Sequence, residues 1–469
     1  MAGGEGMTVQ NELAGNLKQN IRDIKTALHT MQDLSVHPIL LPSQPSSEGC
    51  LIRLKGISDD TKVTEKVLHP ILYSNEMPLK KDFLKKLTQR VLASDFTIGS
   101  TCKEAAEAIL EGHTVFLIEG YKGFIDLETS GGERRAVEEP SSQMVIRGPK
   151  ESFNETLRTN VALIRRRLKS PDLKLEQYVI GEISRTKVNV MYIDKKVSPE
   201  TLQLVKDRLT GSEAKAVLES GYIERVLEDH QITLFPTMNN TERPDEVVSS
   251  LLAGRIAILV DGTPFVLLCP TSFRHYFYSP EDQYQSNISG KLIVMLRYIA
   301  FFLSVFAPSI YIGMITHHQA LIPTSLLISL YSQREGVPFP ALIEVLIMEV
   351  TFEILREAGV RLPRAIGQAV SIVGALVIGQ TTVQAGLVST AVVIVVSITA
   401  ISSFTLPNYS LAITARIVRF ILMFVTYFLG YYGLMLAAIM FMGHLYHLTT
   451  LGTPYMANGA QAGKGNGKP

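Results

Sequence analysis

Glu349, Glu353, Arg356 and Glu357 sit at spacings that put them in one arc of about 100° on a helical wheel. They lie in the run VPFPALIEVLIMEVTFEILREAGVRLPR, from Val337 to Arg364. The Pro338/Pro340 pair suits a helix start, and Gly359 and Pro363 suit its end, so the pattern predicts a helix over 341–358. The rest of its surface is apolar, except Glu344, which stands almost opposite the acidic stripe. Carboxylates at membrane depth cost several kcal/mol unless they meet water, protein or an opposite charge. The stripe must therefore face a polar surface, a pore or another subunit.

The surroundings make membrane depth the relevant setting. Residues 292–456 hold seven Arg, five Glu, no Lys and no Asp, so 12 of the chain's 89 charged side chains fall in these 165 residues. The remainder has an ordinary soluble composition, and the apolar part has a membrane composition. The net charge of +1 argues against a general nucleic-acid binder. Cys50, Cys102 and Cys269 are far apart with no CxxC, which argues against a disulfide framework and a thiolate metal site. The polar first 35 residues contain no signal-peptide core, so the default expectation keeps the region before the first span in the cytoplasm.

Along the chain, residues 1–11 read as disordered. Leu17, Ile21, Ile24, Leu28 and Met31 then form a short heptad stripe, which must dock on a partner or on its own domain. HPILLPSQPSSEG, from His37 to Gly49, reads as a Pro/Ser linker. An internal repeat follows at an offset of 142: AILEGHTVFLIEG from Ala108 matches SLLAGRIAILVDG from Ser250. Each copy predicts a helix ending on Gly, a strand with one face inward, an acid-Gly turn and a second strand. Turn and cap chemistry accounts for these glycines and acids. Between the copies lies a basic amphipathic helix over 151–169. Its Arg165, Arg166 and Arg167 are candidates for contact with anionic lipid or an acidic partner, against the competing reading of a solvated or salt-bridged face.

The membrane part predicts four to six spans: 292–316, a short piece over 320–332, the acidic-stripe helix, 365–381, 387–404, and two within 411–450 broken at Gly430/Gly433. Gly367, Gly374 and Gly379 offer close helix packing within or between subunits. Arg334, Arg356, Arg361, Arg364, Arg416 and Arg419 place positive charge on the side read as inside. No Walker A, dinucleotide fingerprint or GxSxG is present, and His444 and His447 read as interfacial rather than metal-binding. No cofactor, metal or catalytic residue is assigned, and the chain is not read as an enzyme.

Several stretches in order resemble the A subunits of the GerA-type spore germinant receptors. They are RGPKESF from Arg147, LRTNVALIRRRL from Leu157, FPT from Phe235, TERPD from Thr241 and GRIAILVDGTPF from Gly254. PFP from Pro338, EILREAGVRLP from Glu353 and IVGALVIGQ from Ile372 complete the set. The resemblance covers about residues 145–455. It implies a protein of the spore inner membrane that works with a transporter-like B subunit, which binds the nutrient, and a lipoprotein C subunit. It also implies a ring of A subunits, a pentamer, forming a nutrient-gated cation channel. In that setting Glu349, Glu353 and Glu357 become candidates to line an ion path, while Glu344 could pair with an Arg of a neighbour. An interfacial helix with its acids in water or headgroups is the alternative.

The expected fold is an α/β cytoplasmic domain of two related subdomains followed by an α-helical multi-pass membrane domain. The expected divisions are 1–49 (helix and linker), 50–145, 146–286, 287–456 (membrane) and 457–469 (flexible tail). The rival functions are a non-conducting signalling scaffold, an accessory subunit of the dipicolinate-release channel and a secondary transporter. No repeat among the spans supports the transporter.

Overall fold

A computed structural model of the chain describes residues 12–29, 31–40, 48–69, 96–131, 140, 143, 147–229, 232–361 and 377–457. The chain divides into two compact units. Among the described residues, the first holds those up to Glu228 together with Met238–Pro270, and the second holds Asp229–Thr237 and residues 271–457.

The first unit is one pattern used twice. Its first half contains α1 (Leu17–Ala27), β1 (Leu34–Leu40), β2 (Glu48–Leu54), β3 (Phe96–Gly99), α2 (Cys102–Glu111), β4 (Thr114–Ile118) and β5 (Phe124–Leu127). Its second half contains α3 (Leu157–Arg167), β6 (Leu173–Ile180), β7 (Thr186–Ile193), α4 (Pro199–Thr210), α5 (Ser220–Leu227), β8 (Asn239–Thr241), α6 (Pro244–Leu252), β9 (Ile256–Val260) and β10 (Val266–Cys269). The two five-stranded antiparallel sheets run β1-β2-β4-β5-β3 and β6-β7-β9-β10-β8.

The helix ends follow from local chemistry. Thr101 and Glu104 form a capping box at the start of α2, and left-handed Gly112 ends it. Pro244 occupies the first turn of α6 with Asp245 and Glu246, and Gly254 follows at φ +86°. The inner strands differ from the expected one-sided pattern. Every residue of β4 and β9 is buried. In β4, Val115 and Leu117 enter one core while Phe116 and Ile118 enter another, because the sheet is covered on both faces.

The repeat reaches further than the 142-residue offset. At an offset of 140, Leu17, Asn20, Ile24 and Leu28 of the α1 region match Leu157, Asn160, Ile164 and Leu168 of the α3 region. Asn20 Oδ1 accepts from the Ala14 N–H and its Nδ2 donates to the Ala14 carbonyl; Asn160 does the same to Asn154. Glu119 accepts from the Leu17 N–H, and Asp261 accepts from the Leu157 N–H. The acid-Gly turns thus cap the first helix of their own half. The stripe of α1 docks on its own half, with Leu17, Ile24, Leu28 and Met31 in the core shared with β2 and β4. The linker expected over 37–49 is corrected in part: His37 to Leu40 belong to edge strand β1, where Pro38 pairs opposite Cys50. An edge strand tolerates the missing N–H.

The second unit is helical: α7 (Asn287–Thr316), α8 (Thr324–Arg334), α9 (Ala341–Arg361), α10 (Thr390–Phe404) and α11 (Tyr409–His447). Two of these, α7 and α11, are long and apolar enough to cross a membrane, and α10 is a shorter apolar helix. Helix α9 continues through Gly359 to Arg361, with Glu357 paired to Arg361 across its last turn. Helix α11 is non-helical at Gly430, with φ 62° and ψ −153°. Its second arm runs back beside the first, since Thr414 donates to the Leu234 carbonyl and His444 lies 3.3 Å from the Thr233 hydroxyl.

Asp33 and Arg165 join the two halves of the first unit by two short bonds, Nε to Oδ2 at 2.6 Å and Nη2 to Oδ1 at 2.8 Å, with both residues buried. Removing one buried partner leaves an uncompensated charge, whereas replacing both with apolar groups does not. Asp33→Ala in the full chain is therefore expected to lose about 3–5 kcal/mol in denaturant unfolding, and Asp33→Leu with Arg165→Met to recover most of it.

Candidate functional site

The acidic helix α9 is tied to its neighbours by its carboxylates. Glu344, in its first turn, has no exposed surface. Its Oε1 receives Arg334 of α8 from Nε at 3.0 Å and Nη2 at 2.9 Å. Its Oε2 accepts the Ser389 N–H at 3.1 Å and hydroxyl at 3.0 Å. Ser389 precedes α10 directly, so one carboxylate joins three elements. The partner of Glu344 is an arginine of its own chain, not of a neighbouring subunit. A buried carboxylate with four donors has its lost hydration replaced.

One turn and more along, Glu349 is 2% exposed and meets Arg419 of α11, itself 2% exposed, at 3.0 Å. Arg419 also reaches Glu353 at 3.4 Å. Glu353 further pairs with Arg416 at 3.0 Å and with Arg356 of its own helix. Glu349 Oε1 and Arg419 Nε are buried without a hydrogen-bond partner. Two glutamates facing three arginines leave the cluster with one net positive charge. Glu357 stands apart, exposed and, among the described residues, paired with Arg361 alone. The stripe seen in the sequence is therefore split: Glu349 and Glu353 are drawn into a network with α11, and Glu357 is not.

The remaining candidates separate in the same way. Arg165 is corrected as a lipid or partner contact, because Asp33 takes its guanidinium inside the protein. Arg166 is exposed and donates to the Gly131 carbonyl, and Arg167 pairs with Glu151 at 2.5 Å. A β-carbon on Gly379 would lie 3.7 Å from Val393 of α10, an ordinary contact. Gly367 and Gly374 lie outside the described residues. Among the described residues no cluster of three or more His, Cys, Asp or Glu could hold a metal ion.

Sequence reasoning used Arg416 and Arg419 only as markers of orientation. Two arginines three residues apart inside an apolar run were the available signal for carboxylate partners. It also missed a cleft of about 570 Å³ between the halves of the first unit, lined by Arg53, Lys55, Arg158, Lys187, Asn189 and Asp261 among others. Asp60 sits in its wall, bonded to Arg158 and Arg53. Burial works to raise the Asp60 carboxyl, and the two guanidiniums outweigh it, holding it below the usual carboxylate range.

The burial of these carboxylates sets their cost. Glu344→Ala strands Arg334 and the Ser389 donors, and about 3–5 kcal/mol of stability should be lost. Glu357→Ala removes an exposed pair, and the loss should stay below about 1 kcal/mol. Unfolding of the two full-length variants in one detergent measures the difference.

The sequence matches the family described as Bacillus/Clostridium GerA spore germination protein over residues 22–466. It is 41% identical over 450 residues to "Spore germination protein KA" of Bacillus subtilis (strain 168), covering 95% of this chain and 82% of that protein. It is 40% identical over 446 residues to "Uncharacterized membrane protein YfkQ" of the same organism, covering 95% of this chain and 86% of that one. Among solved structures, it resembles the N-terminal domain of the A subunit of the Bacillus megaterium spore germinant receptor GerK3. There the identity is 28% and the TM-score 0.45, covering 57% of this chain and 99% of that one.

Proposed function

This chain belongs to the GerA spore germination protein family, the family of germinant-receptor A subunits, and from that premise we propose that it converts a nutrient signal into cation passage across a membrane. The carrying observation is the acid–arginine network between α9 and α11. In this reading α7, α9, α10 and the two arms of α11 are spans of a multi-pass domain in the spore inner membrane. The two-sheet unit lies on the cytoplasmic side. Several copies, five in the ring the resemblance implies, bring their α9 helices around a shared path, beside a B subunit and a lipoprotein C subunit.

The network then acts as the closed gate. Glu349 and Glu353 attract cations only when they are not neutralised. Here Arg416 and Arg419 hold them, and the cluster's net positive charge repels cations. A shift of α9 against α11 would release the carboxylates. Separating buried partners costs about 3–5 kcal/mol, so the signal must favour the open arrangement by a comparable differential binding energy.

The same net charge favours a second reading, a non-conducting scaffold or an accessory subunit of the dipicolinate-release channel. Flux separates the two. Full-length protein reconstituted in liposomes with its B and C subunits should pass cations on nutrient addition. Arg416→Gln should raise the resting leak, and Glu353→Gln should lower the preference for cations over anions. Unchanged selectivity in Glu353→Gln removes that residue from the path. A ring-sized assembly that stays silent with its partners present supports the scaffold.

A further inference from the structure

The reversal of α11 at Gly430 interrupts the hydrogen-bond ladder of the helix. In an unbroken helix the Tyr431 N–H would donate to the Tyr427 carbonyl. Here each group is taken by a different imidazole from the end of α7. His317 Nε2 lies 2.7 Å from the Tyr427 carbonyl oxygen. The Tyr431 N–H donates to His318 Nε2 at 3.2 Å. The surrounding contacts fix this arrangement. The His318 ring stacks on the Tyr431 ring with centroids 4.7 Å apart. The Tyr431 hydroxyl donates to the Ile310 carbonyl at 3.0 Å. A β-carbon on Gly313 would lie 2.6 Å from the Tyr431 ring, so glycine admits the ring there. A β-carbon on Gly430 would lie 3.0 Å from His318 Nε2, so glycine serves the turn in space as well as in its positive φ.

The two histidines have opposite roles. A carbonyl oxygen only accepts, so His317 Nε2 must carry a proton, and a second proton on its other nitrogen leaves that bond intact. A backbone N–H only donates, so His318 Nε2 must be bare, with its proton on Nδ1. Protonating His318 turns the acceptor into a donor facing a donor. The bond is lost, and a part-buried N–H in the turn loses its partner.

We propose that His317 and His318 form an acid-sensitive latch on the α11 reversal, with His318 as the sensing residue and His317 as a positioning residue. The titratable groups facing His318 are His317 beside it and Tyr431 and Tyr432 from α11. Among the described residues neither histidine is in an ion pair, and the contacts of His318 are to a backbone N–H and aromatic rings. The first arm of α11 carries Arg416 and Arg419, so the latch also fixes the arm that holds the acids of α9. That functional consequence rests on the channel reading; the latch itself does not.

The test reads geometry first. Spin labels are placed at Leu321 and Leu436, which are 66% and 58% exposed, in the full-length protein in lipid nanodiscs. The three native cysteines are buried and take little label. On lowering the pH from about 8 to about 5, across the imidazole range, the distance distribution should shift in the parent and in His317→Gln, whose amide still donates. It should not shift in His318→Gln, whose side-chain oxygen accepts without titrating. His318→Arg, which can only donate, should give the acid distribution already at about pH 8. A parent that does not shift, or a His318→Gln variant that shifts as far as the parent, overturns the latch. If the distances follow pH while nutrient-driven cation flux in liposomes does not, the latch stands and its link to the acid–arginine network falls; if no flux occurs at any pH with the B and C subunits present, the channel reading falls and the latch stands on the distances alone.

Discussion

A carboxylate taken out of water needs its hydration replaced, and Glu344 shows what that demands of the rest of the helical unit. It has no exposed surface and four donors, from an arginine at the end of α8 and from the backbone and hydroxyl of Ser389 before α10. Those donors come from separate elements, so the three must meet in one geometry. Well-packed apolar side chains would tolerate some slippage; a charge with fixed partners does not. The same demand recurs at Glu349 and Arg419, where α9 meets the first arm of α11.

The first unit uses the same device between its halves. Asp33 follows α1, Arg165 lies on α3, and their bidentate pair is closed to solvent. Within each half the acids do a different job. Glu119 and Asp261 sit on hairpin turns and accept the first N–H of the opening helix of their own half. The two halves share that capping bond and the asparagine bracket at Asn20 and Asn160, although the residues between them differ. These short-range polar bonds fix how each helix enters its sheet, and the covered sheets supply the apolar burial.

The network and the reversal differ in what they resist. The paired carboxylates of α9 are costly to separate because their partners are buried. The turn at Gly430 is held by two imidazoles at the end of a helix, and His317 is exposed there. An element held at one end by buried ion pairs and at the other by single hydrogen bonds yields first at the second.

Pattern alone was enough for several features. The β-hairpins of the repeat, the glycines ending α2 and α6, the apolar helices and the arc of Glu349, Glu353 and Glu357 all follow from spacing along one element. Their physics is local: periodicity, φ preference and capping act over a few residues. The full extent of the repeat was not legible, because the offset slips from 142 to 140 and few residues remain identical. What only the tertiary structure decided is which charges meet. Arg165 reads as part of a basic face until Asp33, 132 residues away, takes it inside. Glu344 reads as a stray acid until Arg334 and Ser389 close on it. Arg416, Arg419, His317 and His318 acquire their roles only when α7, α9 and α11 lie side by side. A side chain's periodicity is a property of its own helix, whereas the partner that makes its burial affordable is supplied by another part of the chain.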